Sequence, residues 1–280
     1  MRPIATADGV PLQGHLWPAS ARPARGTVLV VHGLGEHGGR YAALAAHLAA
    51  LGWTVVAFDH RGHGASGGPR GAIPADDSLL ADLGRVVEAV QAEHPGPLVL
   101  LGHSLGGLLA GRFVAEGLAA ATAHWWRPVD ALVMSSPALD PGMHLGQKAL
   151  LALLRRLAPD LALGNGLQAE WLSHDAEVVA AYRADPLVHD RITPRLVRFI
   201  VDGGAQVRAL APRWALPTLL MYAGADRCVA PRGSAAFAAA APPGVVEARC
   251  FGAMRHEIFN EPDRAEVLST LTRWLAARGH

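Results

Sequence analysis

Residues 99–113, VLLGHSLGGLLAGRF, limit what this chain can fold into more than any other stretch. Leu98-Val99-Leu100-Leu101 is a short continuous apolar run, the pattern of a buried strand. Gly102-His103-Ser104-Leu105-Gly106 follows, and Leu108, Leu109, Gly111 and Phe113 then open a helical pattern. Strand, G-x-S-x-G turn and helix in direct succession hold a serine hydroxyl exposed at the top of a sheet. In so tight a turn a side chain at either motif glycine would clash, and the serine backbone is strained. A serine hydroxyl is a poor nucleophile at neutral pH, so Ser104 requires a base and an acid that orients the base. A second match, Gly64-Ala65-Ser66-Gly67-Gly68, runs into Pro69-Arg70-Gly71, where no helix can start. Ser66 is read as a loop serine.

Around this stretch, strands alternate with helices. A polar-apolar hairpin over 1–18, turning at Ala7-Asp8-Gly9, precedes apolar strands at 27–32 and 53–59. Helical pattern occupies 41–51 and 76–93, the latter with Leu79, Leu80, Leu83, Val86, Val87 and Val90 on one face. Later strands are expected at 129–135, 217–224 and 245–251, and a helix at 262–277 with Pro262 in its first turn. Strands apolar throughout argue for an α/β fold with a mostly parallel sheet covered on both faces. The interval between Ser135 and Pro217 exceeds one crossover and carries helical patterns without a clear strand. It is read as an inserted helical cap, 140–210, over the carboxyl ends of the strands, where open α/β sheets bind ligands. The core is then 1–139 and 211–280.

A rival reading starts at Gly33-Leu34-Gly35-Glu36-His37-Gly38, a G-x-G-x-x-G after a strand, with Asp59 ending the next strand. That is the outline of a dinucleotide-binding turn. Glu36 and His37 crowd a loop meant for pyrophosphate, however, and helical pattern begins only near Tyr41. The alternative is an oxyanion hole formed by the N–H of Leu34 and that of Leu105, the residue after the serine.

The base should be a histidine, which takes and returns protons near neutrality. Around a serine on such a turn the acid precedes the histidine in the chain. After Ser104 the histidines are His124, His144, His174, His189, His256 and His280. His256 alone falls in a loop between the last strand and the last helix. Asp226 follows the strand PTLLMY, whereas Asp185 and Asp202 belong to the cap. The expected triad is Ser104, Asp226 and His256, with Asp226 fixing the imidazole tautomer.

Composition removes other classes. A net charge of +1 offers no field for nucleic acid. Fourteen histidines are scattered, with neither C-x-x-C nor H-E-x-x-H, so no metal and no cofactor is expected. Two cysteines, Cys228 and Cys250, form no disulfide framework and suit a reducing, cytoplasmic setting. Cys228 is read as a small core filler. Neither a signal peptide nor eighteen uninterrupted apolar residues occurs.

Seven blocks, HGLGEHGGRY (32–41), DHRGHGASGGPRG (59–71), GHSLGG (102–107), SSPALDPG (135–142), YRADPLVH (182–189), GADRCVAP (224–231) and MRHEIFNEPDR (254–264), carry a resemblance. Together and in this order they resemble the monoacylglycerol lipase and lysophospholipase group of α/β-hydrolases, nearly end to end. The resemblance implies an α/β-hydrolase fold and a serine hydrolase with a mobile cap, acting on the ester of a single acyl chain. It carries the triad onto Ser104, Asp226 and His256, and the oxyanion donors onto Leu34 and Leu105. It also implies leaving-group contacts at Glu36, Arg40, His103 and Tyr182. Lysophospholipids, thioesters or other carboxylic esters are alternative substrates. From another class, a lipid or partner binder that kept the fold without catalysis would not react with a fluorophosphonate.

The segment between Gly142 and Glu170 matches no block. In QKALLALLRRLAPD, Leu150, Leu151, Leu154 and Leu157 share one helical face, opposite Lys148, Arg155 and Arg156. A basic amphipathic helix suits transient contact with a membrane surface. A cap helix packing its leucines over an acyl tunnel is the competing reading.

Overall fold

The computed structural model describes residues 3–277. The chain runs β1 (Ile4–Ala5), β2 (Pro11–Leu12), β3 (Gly14–Trp17), β4 (Thr27–Val31), α1 (Ala42–Ala50), β5 (Thr54–Phe58) and α2 (Ser78–Glu93). It continues through β6 (Leu98–His103), α3 (Leu105–Glu116), β7 (Ala131–Ser135), α4 (Leu145–Leu157), β8 (Leu163–Gly164), α5 (Ala176–Ala184) and β9 (Arg191–Ile192). It closes with α6 (Pro194–Leu210), β10 (Thr218–Ala223), α7 (Pro231–Ala240), β11 (Val246–Phe251) and α8 (Arg264–Ala276).

The central sheet has the order β11-β10-β7-β6-β4-β5-β3. Its pairs are parallel except for β3, which lies antiparallel on β5 at the edge. Every residue of β4, β5, β6 and β7 is buried, which is why these strands read as unbroken apolar runs. Successive side chains point to opposite faces. Leu29, Val31, Leu100 and Leu132 pack under Leu83, Val87 and Leu108 of α2 and α3. Val28, Val30, Val99 and Leu101 pack under Leu44, Leu48, Leu271 and Trp274 of α1 and α8. The chain steps from β4 out to β5, then returns past β4 to β6 and continues to β7, β10 and β11. The winding reverses between β4 and β6, and at such a reversal the loops above adjacent strands part into a crevice. Val31 pairs with Gly102, so His32-Gly33-Leu34 and His103-Ser104-Leu105 leave the sheet side by side.

Differences from the sequence reading have local causes. β1 and β2 pair across the expected N-terminal turn, but β3 leaves them for the main sheet. Helix α7 was not expected, because PRGSAAFAAA has no leucine stripe; alanine propensity and Pro231 in the first turn form it. Pro262 precedes the Asp263 cap of α8 rather than lying in its first turn. β8 and β9 pair with each other over two residues each, too short to leave a period in the sequence.

Segment 140–210 is not uniform. Helix α4 buries none of its residues. Helix α6 buries Leu196, Phe199, Ile200 and Val207 in the core beside α3. A methyl group at Gly204 would lie 2.4 Å from the Leu139 carbonyl oxygen, so α6 rests on that backbone. Among the described residues no helix is long and apolar enough to cross a membrane.

Candidate active site

Ser104 caps α3 with φ 54° and ψ −117°, and Ser136 is the one other non-glycine residue at positive φ among those described. Such a conformation costs roughly 1–3 kcal/mol and persists only where its surroundings enforce it. The neighbours supply that enforcement. A methyl at Gly102 would lie 2.3 Å from the Gly106 carbonyl oxygen, and one at Gly106 would lie 1.9 Å from that of Val31. The turn therefore lies flat against the end of β4, as both motif glycines permit.

His256, in the loop after β11, holds its Nδ1 2.7 Å from Asp226 Oδ2, and both side chains are almost wholly buried. Its ring centroid lies 4.7 Å from that of His103, the residue before Ser104. Burial opposes the imidazolium, but the Asp226 charge and hydrogen bond, with Glu257 and Glu36, outweigh it and raise the pKa. His103, by contrast, is pushed down to about 4 by burial and then by His256. Protons arriving here collect on His256.

The loop after β4 is clamped at the two peptides flanking Gly33. Gly33 N–H donates to Glu36 Oε1 at 2.6 Å, and Tyr41 OH donates to the same oxygen at 2.7 Å. His32 Nε2 accepts from the His60 N–H at 2.9 Å, so its Nδ1 carries the hydrogen given to the Gly33 carbonyl at 2.7 Å. In a trans peptide N–H and C=O point opposite ways, so this bond turns the Leu34 N–H away from His32. A methyl at Gly33 would sit 3.2 Å from Ser104 Cβ, so the loop passes directly over the serine. Leu34, Ser104 and Leu105 line one cavity. Leu105 opens α3, where N–H groups have no intrahelical partner and the helix dipole is positive. His32 and His60 escaped the sequence reading as positioning groups; their spacing gives no signal, because they act through backbone.

The residues expected at the leaving group are tied to one another and to Glu257. Arg40 binds Glu257 through two bonds, at 2.7 and 2.9 Å, and pairs with Glu36 as well. Glu36, Arg40 and His103 border a void of about 20 Å³ outside the Ser104 cavity. Tyr182 stacks under the Arg40 guanidinium, 4.8 Å away, and borders a separate surface cleft with Arg70 and His189. The Glu36 and Arg40 charges are paired, and neither residue lines the Ser104 cavity.

That cavity measures about 420 Å³ and has largely apolar walls, among them Trp171, Ile192, Val197 and Ile200. Met143, Gln147 and Leu167 cover it from the α4 side. On α4 the leucines differ widely in exposure. Leu151 and Leu154 are half-buried, whereas Leu145 is 84% exposed and Leu157 74%, with Leu150 and Leu153 exposed as well. The expected four-leucine face is thus divided between the two sides.

Both rival motifs have structural work. Ser66 Oγ donates to the Asp59 carbonyl at 2.6 Å and accepts from Gln13 N–H at 2.8 Å. The Asp59 carboxylate accepts from Gly38 N–H, Ala65 N–H and the His15 ring, each at 2.9 Å, and is fully buried. A 3-10 turn opens at Gly38, the last motif glycine, but the Gly38 and Gly39 N–H groups donate to Asp59 and to the His37 ring, and α1 starts only at Ala42. His280 lies outside the described residues.

The family model described as serine aminopeptidase, S33, matches residues 22–263. The monoacylglycerol lipase of Mycolicibacterium smegmatis is 34% identical over 278 residues, covering 98% of this chain and 96% of that one. The monoglyceride lipase of Rattus norvegicus is 30% identical over 284 residues, covering 98% and 90%. The crystal structure of Paleococcus ferrophilus monoacylglycerol lipase superposes with a TM-score of 0.82 at 33% identity, covering 95% of this chain and 98% of that one. The chain thus belongs to the serine aminopeptidase S33 family of α/β-hydrolases and, within it, to the monoglyceride lipase group.

Proposed function

We propose that the protein hydrolyses monoacylglycerols to glycerol and fatty acid through a Ser104-His256-Asp226 triad. Ser104 Oγ attacks the acyl carbonyl as His256 takes its proton, and Asp226 stabilises the resulting imidazolium. The Leu34 and Leu105 N–H groups receive the oxyanion, each worth roughly 10²–10³ in rate. His256 returns the proton to the departing glycerol, leaving the acyl group on Ser104. Water, deprotonated by His256, then releases the acid.

The observation that carries this reading is the His256–Asp226 pair held against His103, next in the chain to a strained Ser104 under the clamped Gly33. An apolar cavity of about 420 Å³ suits a single acyl chain, and relatives named for monoacylglycerols support glycerol as the leaving alcohol. In this reading 140–210 acts as a cap on the core 1–139 and 211–280, with Tyr182 and Arg40 steadying its inner side. The exposed leucines of α4, flanked by Lys148, Arg155 and Arg156, support docking of the cap on a lipid surface, from which substrate enters.

Fluorophosphonate labelling and monoacylglycerol turnover test the chemistry. Ser104→Ala is expected to abolish labelling and lower kcat by ~10⁶; retained turnover rejects the triad. One acyl chain presented on glycerol, on glycerophosphocholine, on ethanol and on a thiol ranks the leaving groups. Faster release from glycerophosphocholine than from glycerol would replace the monoacylglycerol assignment with a lysophospholipid one.

A further inference from the structure

Hydrolysis as proposed makes no use of Cys228. Its N–H donates to Asp226 Oδ1 at 2.8 Å, and Val229 N–H donates to the same oxygen at 3.1 Å, so the turn folds back over Asp226. One donor atom each from Asp226, Cys228 and His256 lie within 4.8 Å of one another. Cys228 also lines the Ser104 cavity, which gives a small ion a route in. Burial, and then the charges of Asp226 and Glu257, hold its thiol well above the ordinary value. The part of this shift that comes from the Asp226 and Glu257 charges also favours a cation in the proton's place. Glu257 is already engaged by Arg40 and Asn260, which leaves three donors of the kinds a soft dication prefers.

We propose that Cys228, Asp226 and His256 form an inhibitory binding site for a thiophilic divalent cation of the zinc and cadmium class. The cation bonds to sulfur, a carboxylate oxygen and an imidazole nitrogen, and a water takes the fourth position. The thiol proton passes to solvent and nothing is oxidised. A thiolate, a carboxylate and a dication sum to zero charge, which suits a buried site. Bonds of about 2.0–2.3 Å in a tetrahedron require the donors to draw in by about an ångström. With the metal on Nε2 that lone pair is taken, and with the metal on Nδ1 the ring hydrogen moves to Nε2; in either case His256 has no lone pair for the Ser104 proton, so occupancy stops turnover. That consequence rests on the triad reading, whereas the binding itself does not.

The test uses the whole chain in reductant-free buffer. Cobalt(II) titration should produce thiolate-to-cobalt charge-transfer absorption in the wild type, in Ser104→Ala and in Cys250→Ala, whose lost thiol is the exposed one on β11. Cys228→Ala should lack the band, and Cys228→Ser serves if the alanine variant does not fold. Micromolar zinc should inhibit monoacylglycerol hydrolysis, with reversal by EDTA. Cys228→Ala, read against its own zinc-free rate, should require at least tenfold more zinc. A wild type without the band, or equal zinc sensitivity in Cys228→Ala, overturns the proposal. The band in a wild type that does not hydrolyse esters would support the metal site while removing the triad reading.

Discussion

The Gly33 peptide and helix α4 flank the same cavity and are built on opposite plans. Gly33 is held at both its N–H and its C=O, by Glu36 and His32, and those side chains are fixed in turn by Tyr41, Arg40 and His60. Helix α4 buries nothing and turns large leucines to solvent. Electrostatic stabilisation of a transition state needs donors that do not reorganise as charge develops. A covering element that admits a long apolar substrate needs few fixed contacts. Under the proposed function, the contrast pairs rigidity with the chemistry and looseness with entry.

The rigid side breaks most visibly at Asp226. Asp226→Asn is expected to lower kcat by ~10⁴ through the wrong imidazole tautomer. The same variant moves a pH profile. His256 acts when neutral, and its pKa is raised, so wild-type kcat/KM should climb with pH through a midpoint above 6.5. Without the carboxylate, burial dominates and the midpoint should fall; an unmoved midpoint would dissociate His256 from that limb. Next in size, Arg40→Ala leaves Glu36 and Glu257 buried without their shared cation and should cost about 3–5 kcal/mol in denaturant unfolding. His32→Ala frees the Gly33 carbonyl and should reduce kcat by about 10²–10³, the worth of one oxyanion donor, with little change in KM. The loose side should scarcely respond. Leu153→Asp with Leu157→Asp should change stability by less than about 0.5 kcal/mol per site and leave turnover of a water-soluble ester unaltered. Co-sedimentation with anionic vesicles should fall in that double variant, and unchanged sedimentation removes the docking role.

The sheet was legible because each buried strand is apolar along its whole length, and TVLVV and LVLLGH meet few competing patterns. The serine turn was legible because its glycines are dictated by backbone approach, which any reader of the motif can infer. Asp226 and His256 were found by chain order, and the structure brings them within hydrogen-bond distance. Glu36 and Arg40 were placed by resemblance at the leaving group, and what the sequence did not show is that Arg40 joins Glu36 to Glu257, 217 residues from Arg40. A pairing at that separation leaves no periodicity to read. The leucines of α4 showed amphipathicity, but which of them face solvent depends on what the helix rests on, which the sequence does not contain.

Arg40 joins the loop after the second sheet strand in the chain to the residue following His256. The two halves of the centre are therefore fastened across 217 residues of chain. A nascent polypeptide still lacking its final strand has its serine turn but neither imidazole nor clasp. The clasp closes only once both ends of that interval have been made.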